Sequence, residues 1–282
     1  MAKMTDSLAA IGEGYTIVLC DVWGVLHNGM RAFPDAVAAL RAARGRGQAV
    51  VLVTNSPRPR AGVAEQLALL DVPADCYDAI VSSGDVTRRL IADGPRRVFH
   101  LGPDRDLAIY DGLDVELSEE FEAQAIVCTG MFDDDETPDD YAEMLERFRA
   151  RNLPFICANP DIVVERGDEL IWCAGALARD YALLGGRTEI AGKPHRPIYE
   201  AALAAASAVL GREATKAEAL AIGDGILTDI KGAADNGLDV LFVSGGIHAA
   251  EYGPARAPDP AGVAAFLEKH GYSPVAVIPR LR

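Results

Sequence analysis

Short apolar runs alternate along the chain with longer segments whose hydrophobic residues recur at helical spacing. Near the amino terminus, runs at residues 16–20 and 49–53 flank a segment of helical period at about 34–44, and another such segment follows at 62–70. Continuously apolar strands are typical of a parallel sheet that helices cover on both faces. The pattern therefore predicts strand–helix–strand units of the α/β class.

The alternation returns toward the carboxyl terminus, where apolar runs at 220–222 and 240–243 flank a helix-like segment at 230–236. The two ends of the chain are therefore expected to form halves of one open α/β sheet. We predict that this core domain spans residues 1–83 and 188–282.

The segment between the two halves is far longer than the roughly 30 residues of one crossover unit, so it is predicted to be a separate insert. It contains its own predicted elements, with strands at 97–101, 125–129 and 154–157 and helices at 138–151 and 173–184. An inserted α/β domain is therefore expected at about 84–187.

The charge balance narrows the partners of the protein. The chain has 282 residues, with 42 acidic and 27 basic side chains and a formal net charge of −15. Such an excess of negative charge argues against a nucleic acid or an anionic membrane as the main partner. This net charge is still compatible with a small phosphate ester bound in a local site.

Cysteine usage and hydropathy bear on location. The five cysteines form no CxxC pair and no zinc-like spacing, which favours reduced thiols and the cytoplasm. The first fifteen residues hold no apolar signal-peptide core, and no apolar run approaches the roughly 18 residues that span a bilayer. We expect a soluble, cytoplasmic protein.

Four polar segments follow apolar runs of the core, where open α/β sheets bind their ligands. They lie at residues 21–29, 53–57, 192–197 and 223–229. Taken singly, each is compatible with ordinary turn or helix-cap chemistry. Their order favours convergence on adjacent strand ends, because the first and second segments, and likewise the third and fourth, are about one crossover unit apart.

The residue types in these segments suit a phosphorylated ligand. Asp21 ends a buried strand, and Asp224 and Asp229 beside a turn suit a hard divalent cation. The hydroxyl, amide and backbone N–H groups at Thr54 and Asn55 suit phosphate oxygens. Lys193 adds a point positive charge at the mouth of a predicted helix.

The four segments resemble the four motifs of the haloacid dehalogenase (HAD) superfamily. The long insert between the second and third resembles subclass IIA, which includes 4-nitrophenyl phosphatase-like and sugar-phosphate phosphatases. Residues 159–161 and 175–177 are similar to features of that cap type. The resemblance implies a Rossmann-like core with a parallel sheet and an inserted α/β cap of the C2A type.

The resemblance also implies roles at the site of a Mg²⁺-dependent HAD-type hydrolase. Asp21 would be the nucleophile that forms an aspartyl-phosphate. The residues that would hold the phosphoryl oxygens are Thr54, Asn55 and Lys193. The metal ligands would be Asp21, the backbone carbonyl of Trp23 and Asp224, with Asp229 supporting the metal site from nearby.

One position departs from the family pattern. The second aspartate of the first motif, which protonates the leaving alcohol, is replaced here by Trp23, whose indole does not titrate near neutrality. Three interpretations stay open. His27 or His195 replaces the missing acid; the substrate has a good leaving group, such as an acyl or aryl phosphate; or hydrolysis is lost and the protein binds a phosphometabolite as a regulator.

The leading hypothesis is a phosphatase that hydrolyses a small-molecule phosphate monoester through an aspartyl-phosphate on Asp21. The noncatalytic binding protein is the main alternative, and cleavage of a carbon–phosphorus or carbon–halogen bond is a weaker one. Arg58 and Arg60 would reach a second anionic group of the substrate or be solvated. Members of the subclass are often dimers through the cap, so a homo-oligomer is an open expectation.

Overall fold

The computed structural model describes residues 3–167 and 169–282. Strands lie where continuous apolar runs occur in the sequence, and several shorter strands lie elsewhere. The strands are β1 Ile17–Cys20, β2 Ala49–Thr54, β3 Ala79–Ser82, β4 Arg97–Leu101, β5 Glu116–Leu117, β6 Ala125–Cys128, β7 Phe155–Cys157, β8 Val163–Arg166, β9 Glu169–Trp172, β10 Thr188–Ile190, β11 Ala219–Gly223, β12 Asp239–Val243 and β13 Ala276–Ile278.

The helices occupy the segments of helical period. They are α1 Ala9–Gly12, α2 Pro34–Gly45, α3 Arg60–Leu69, α4 Ser83–Ala92, α5 Ala142–Ala150, α6 Ala174–Leu183, α7 Arg196–Leu210, α8 Lys231–Asn236 and α9 Pro260–His270. A π-helical turn at Ile226–Ile230 runs directly into α8. Among the residues described, no helix is both long and apolar enough to cross a bilayer.

The core sheet is parallel and has the strand order β13-β12-β11-β1-β2-β3. Every residue of β1 is buried, because alternate side chains face opposite layers. Val18 and Cys20 pack toward α2 and α3, whereas Ile17 and Leu19 pack toward α7, α8 and α9. Helices on both faces therefore explain why the strand is apolar throughout.

The middle of the chain forms a second sheet, ordered β10-β7-β6-β4-β5 and also parallel. Side chains of α5 and α6 cover one face, and Ile91 of α4 is part of the cluster on the other. The strands β8 and β9 pair separately as an antiparallel hairpin. The predicted fold class, a parallel α/β core with an inserted α/β unit, is confirmed.

The exact extent of the inserted domain stays a prediction. The helix α4 begins at Ser83, next to the predicted start at residue 84. The strand β10 lies just beyond the predicted end at residue 187 and pairs with β7 of the second sheet.

Candidate active site

The polar residues predicted to converge follow neighbouring strands of the core sheet. Asp21 follows β1, Thr54 ends β2, and Asp224 follows β11. Because β1 pairs in parallel with both β2 and β11, the carboxyl ends of the three strands meet at one edge. All three side chains are buried there.

A buried lysine joins two of the carboxylates. The ammonium of Lys193, in the loop between β10 and α7, donates to Asp21 Oδ1 at 2.6 Å and to Asp229 Oδ1 at 2.7 Å. Asn55 fixes the lysine backbone, because its Oδ1 accepts the Lys193 N–H at 2.7 Å and its amide nitrogen donates to the Lys193 carbonyl at 3.2 Å. The second and third polar segments therefore hold each other in place.

Asp224 is held by a close approach of backbone on two sides. Its Oδ2 accepts the N–H of Ile247 at 2.8 Å. A Cβ at Gly24, where φ is +80°, would lie 2.1 Å from that oxygen, and one at Gly246 would lie 1.9 Å from it. Glycine is required at both positions, because any side chain would displace the carboxylate.

The charges of this edge are unbalanced. Ligand oxygens of Asp21, Asp224 and Asp229 all lie within 4.8 Å of one another, and Lys193 is the cation bonded to this group. Burial raises the pKa of Asp21 well above its ordinary range, and the charge of Asp229 adds to that effect. Burial, again with Asp229, raises the pKa of Asp224 to about 7.

The lysine itself stays charged. Burial alone would lower the pKa of Lys193, but the carboxylates of Asp21 and Asp229 raise it well above its ordinary value. Three buried carboxylates around one ammonium leave excess negative charge, which a divalent cation would offset. An all-oxygen donor set of this kind fits Mg²⁺ or Ca²⁺.

Trp23 contacts the inserted unit rather than the carboxylates. Its indole N–H donates to the backbone carbonyl of Glu165 on β8. The ring packs on Gly29, where a Cβ would lie 2.5 Å from the indole, and meets the His27 ring edge-on at 4.9 Å. The side chain at the position of the missing aspartate therefore bridges the core and the hairpin.

Neither histidine considered from the sequence lines the cavities of this site. His27 is buried, its Nδ1 accepts the N–H of Gly29 at 2.9 Å, and burial lowers its pKa to about 4. His195 lies directly before α7, where burial lowers its pKa. The proposal from the sequence that one of them replaces the missing acid stays a prediction, and the linings of the two cavities do not include either ring.

Two cavities meet at the edge of the sheet. The first, of about 300 Å³, is lined by Asp21, Lys193, Asp224 and Asp229 and, from the inserted unit, by residues 160–165. We call it the phosphoryl cavity; this name and that of the second cavity follow the ligand that the sequence resemblance implies. The second, of about 120 Å³, is lined by residues of both units and is called the leaving-group cavity. The residues shared by both linings are Trp23, Thr54, Asp161 and Val164.

Arginine–aspartate pairs line the leaving-group cavity. Arg58 contacts Asp106 at 3.3 Å, and Asp134 accepts from Arg105 at 2.5 Å and from Arg166 at 2.6 Å. Arg58 is therefore at the site, as one sequence interpretation had it. Arg60 is largely exposed, pairs with Asp85 and does not line either cavity.

Asp161 is a site residue to which the sequence reasoning gave no role. Its Oδ1 accepts a hydrogen bond from the amide of Asn55 at 2.9 Å. The available signal was its place in the Asn159-Pro160-Asp161 segment, which resembles a feature of the cap type. Only the folded chain shows that this segment reaches the second polar segment of the core.

Comparison with known proteins agrees with this arrangement. A family model described as haloacid dehalogenase-like hydrolase matches residues 18–116, and a HAD-hydrolase-like model matches residues 190–269. The chain is 58% identical to a solved hydrolase of the haloacid dehalogenase-like family from Brucella suis 1330, over 99% of this chain and 100% of that one, with a TM-score of 0.90.

Two further relatives are more distant. The 5'-nucleotidase YutF of Bacillus subtilis (strain 168) is 28% identical over 254 residues, which cover 85% of this chain and 90% of that protein. Glycerol phosphate phosphatase Rv1692 of Mycobacterium tuberculosis, solved in complex with magnesium, is 25% identical over 86% of this chain and 71% of that one, with a TM-score of 0.64. A calcium complex of the same protein is also known.

The fold and the site define a hydrolase of the α/β class, with a carboxylate-rich sheet edge next to an inserted unit. The chain belongs to the haloacid dehalogenase-like hydrolases, so the resemblance drawn from the sequence is confirmed, as is the prediction of a HAD-type enzyme. The nucleotidase and the phosphatase among its relatives are phosphoric monoester hydrolases, the class predicted for this chain.

Proposed function

We propose that the protein is a Mg²⁺-dependent phosphatase that hydrolyses a small-molecule phosphate monoester through an aspartyl-phosphate on Asp21. The observation that carries the proposal is the environment of Asp21 at the end of β1. Its carboxylate lies on the phosphoryl cavity, bonded to the Lys193 ammonium and close to two further carboxylates. Relatives named as nucleotidase and phosphatase support the same class.

The proposed metal site consists of Asp21, the backbone carbonyl of Trp23, Asp224 and Asp229. When bound there, Mg²⁺ would neutralise part of the charge of the transferring phosphoryl group and of the carboxylates. The hydrogen bond from the Ile247 N–H to Asp224 Oδ2 fixes the orientation of this carboxylate, which favours its role as a metal ligand.

In the first step, a carboxylate oxygen of Asp21 attacks phosphorus in line with the departing ester oxygen. Lys193 carries the permanent positive charge of the site and is proposed to hold a phosphoryl oxygen. Thr54 and Asn55, on the same cavity, are proposed to hold the other phosphoryl oxygens. Water then hydrolyses the aspartyl-phosphate and restores Asp21.

The inserted unit is proposed to act as a cap that excludes water and selects the leaving group. Residues 160–165 line the phosphoryl cavity, and Arg58, Arg105 and Arg166 line the leaving-group cavity. The cap boundaries at 84 and 187, a homo-oligomer through the cap and a cytoplasmic location stay predictions.

The test is phosphate release from p-nitrophenyl phosphate, acetyl phosphate and alkyl phosphates in Mg²⁺, with Asp21→Asn as the decisive variant. We expect its turnover to fall by at least about 10⁴-fold, because an amide does not replace a carboxylate nucleophile. Asp139→Asn, at an exposed position of the inserted unit, is the matched control and should keep full turnover. Full turnover in Asp21→Asn would contradict the mechanism.

A second candidate is a phosphometabolite-binding protein without turnover. The tryptophan at position 23 favours this candidate. Its indole N–H is engaged by the Glu165 carbonyl and does not titrate near neutrality. Stoichiometric binding of a phosphate ester, with no phosphate release across the panel, would support this candidate over the phosphatase.

A further inference from the structure

We propose that Asp161, on the segment between β7 and β8, is the catalytic acid–base residue, which protonates the leaving oxygen and later accepts a proton from the attacking water. The proposal rests on the proposed phosphatase function. It assigns to the inserted unit a task that residue 23 of the core cannot perform in this chain, because Trp23 stands where the family pattern has its second aspartate.

The position of Asp161 is the first argument. A leaving-group oxygen bonded to phosphorus must lie where the phosphoryl cavity opens into the leaving-group cavity. Among the described residues, Asp161 is the one titratable residue that lines both cavities. A general acid must lie within hydrogen-bond reach of the oxygen that it protonates, and a residue that lines both cavities is the candidate for that position.

The orientation of Asp161 is fixed from three sides. Asn159 Oδ1 accepts the N–H of Asp161 at 3.1 Å, and the Asn55 amide holds Asp161 Oδ1 at 2.9 Å. Behind the segment, a Cβ at Gly175 would lie 2.2 Å from the Pro160 carbonyl oxygen and 2.5 Å from that of Asp161. The segment therefore packs directly on α6, and Asp161 Oδ2 is the oxygen left for substrate.

Other titratable groups of the two linings are less well placed. His248 and Glu165 line the phosphoryl cavity only, and His248 Nε2 accepts the N–H of Ile226 at 3.2 Å. Asp106 and Asp134 line the leaving-group cavity only, and both are paired with arginines. Burial raises the pKa of Asp106 as well, so the position of Asp161 at the junction is what distinguishes it from these carboxylates.

The protonated form of Asp161 is favoured by its surroundings. Burial raises the pKa of Asp161 above its ordinary value, while Lys193 and the hydrogen bond from Asn55 oppose the shift. A carboxyl group with a raised pKa is protonated in a larger fraction of molecules near neutral pH than an exposed aspartate, so it is more often available as a proton donor.

The proton balance closes over the two steps. In the first, the Asp21–phosphorus bond forms, the bond from phosphorus to the ester oxygen breaks, and the Asp161 proton moves to that oxygen, which leaves as an alcohol. In the second, water attacks phosphorus, gives one proton to the Asp161 carboxylate, and the Asp21–phosphorus bond breaks. Inorganic phosphate leaves, and both aspartates return to their initial states.

The test compares leaving groups in Asp161→Asn. The asparagine carbonyl oxygen accepts the same Asn55 hydrogen bond, so a purely structural role of this position would be preserved. We expect kcat/KM for alkyl phosphates to fall about 10²–10⁴-fold, because the alkoxide leaves unprotonated. For p-nitrophenyl phosphate, whose leaving group needs no proton, kcat/KM should change less than about fivefold.

A rapid-mixing experiment separates the steps. Because hydrolysis of the aspartyl-phosphate also loses its base, Asp161→Asn should release p-nitrophenolate in a burst equal to the enzyme concentration, followed by slow turnover. Asp139→Asn should behave as the unsubstituted protein does in both assays. Equal losses for alkyl and p-nitrophenyl esters, without a burst, would overturn the role of Asp161.

The two proposals fail in different ways. Turnover that is abolished by Asp21→Asn but unchanged in Asp161→Asn would overturn the role of Asp161 and leave the phosphatase standing. No turnover by the unsubstituted protein on any ester would overturn the proposed function and the role of Asp161 with it.

Discussion

The two cavities of the site differ in the balance of charge among their lining residues. In the phosphoryl cavity, three carboxylates have oxygens within 4.8 Å of one another, and the single ammonium of Lys193 is bonded to two of them. In the leaving-group cavity, each arginine of the lining contacts an aspartate at 3.3 Å or less. One cavity is therefore left with charge that a ligand must balance, and the other is nearly balanced before any ligand arrives.

This difference predicts that the phosphoryl cavity performs the chemistry and that the leaving-group cavity selects the substrate. Unbalanced negative charge favours a divalent cation, and the cation together with Lys193 favours a phosphoryl group. A cavity of paired charges gains little from a second anion, because each arginine would have to leave its aspartate. It is better suited to a leaving group with hydroxyl or amide groups that hydrogen-bond to both members of a pair.

The largest effect is expected from the metal-dependent stability of the phosphoryl cavity. The pKa of Asp224 is about 7 in the folded chain and roughly 3.9 when unfolded. The protonated form is thus favoured by folding, so this contribution is fully present below about pH 4 and is lost as the pH rises through 7. Without divalent cations, Tm should fall over that range.

Saturating Mg²⁺ should raise Tm at pH 7 by about 5 °C, equivalent to roughly 2–3 kcal/mol, and by less at pH 5, where protons compete for the carboxylates. Differential scanning fluorimetry in EDTA and in Mg²⁺ measures both effects. Asp224→Asn should flatten the pH dependence and reduce the Mg²⁺ shift. A Tm insensitive to Mg²⁺ at pH 7 would contradict the proposed metal site.

A smaller effect is expected from the balanced pairs. Arg58→Gln combined with Asp106→Asn removes one pair from the leaving-group cavity without leaving a buried charge alone. We expect kcat/KM for alkyl phosphates with polar leaving groups to fall about tenfold, the equivalent of one lost hydrogen-bonded contact. Acetyl phosphate, whose leaving group is too short to reach the pair, should change less than about twofold.

Steady-state kinetics on the two substrate types checks this prediction. The single variant Arg58→Gln is the informative control, because it leaves Asp106 buried without its cation and should be less stable than the double variant. Equal losses on acetyl phosphate and on the polar esters would show that the pair acts on the phosphoryl cavity instead.

The phosphoryl cavity was largely predictable from the sequence, and the leaving-group cavity was not. Asp21 and Asp224 follow continuously buried strands, so the sheet alone brings them together. Asp161 contacts Asn55 across 106 positions of sequence, and only the folding of the inserted unit onto the core creates that contact. No local pattern encodes such a distant approach.

Two local features also escaped the hydrophobic pattern. The strands β8 and β9 have four residues each, are only partly buried, and combine charged residues with two or three apolar ones, so neither stands out as a buried strand. His27 lies within the first polar segment, and an ordinary histidine has a pKa in the right range, but the ring is buried and its Nδ1 accepts the Gly29 N–H. Burial, which the sequence does not show, decides its role.

The smallest effect is expected where the two cavities join, at Trp23. Trp23→Phe keeps a ring on Gly29 and removes the N–H donor to the Glu165 carbonyl. We expect the free energy of unfolding to fall by about 1 kcal/mol. Limited proteolysis of the β8–β9 hairpin should accelerate, since one remaining backbone contact there is the hydrogen bond from Gly167 N–H to the Asn28 carbonyl at 3.1 Å.

Tyr15→Phe is the matched control, because it also removes one donor, to Asp239 at 2.7 Å, at the amino ends of the strands. It should lower stability without changing cleavage of the hairpin. If both variants left hairpin cleavage unchanged, the indole bond would not hold the hairpin on the core, and the joint between the two cavities would depend on Asp161 and Asn55 instead.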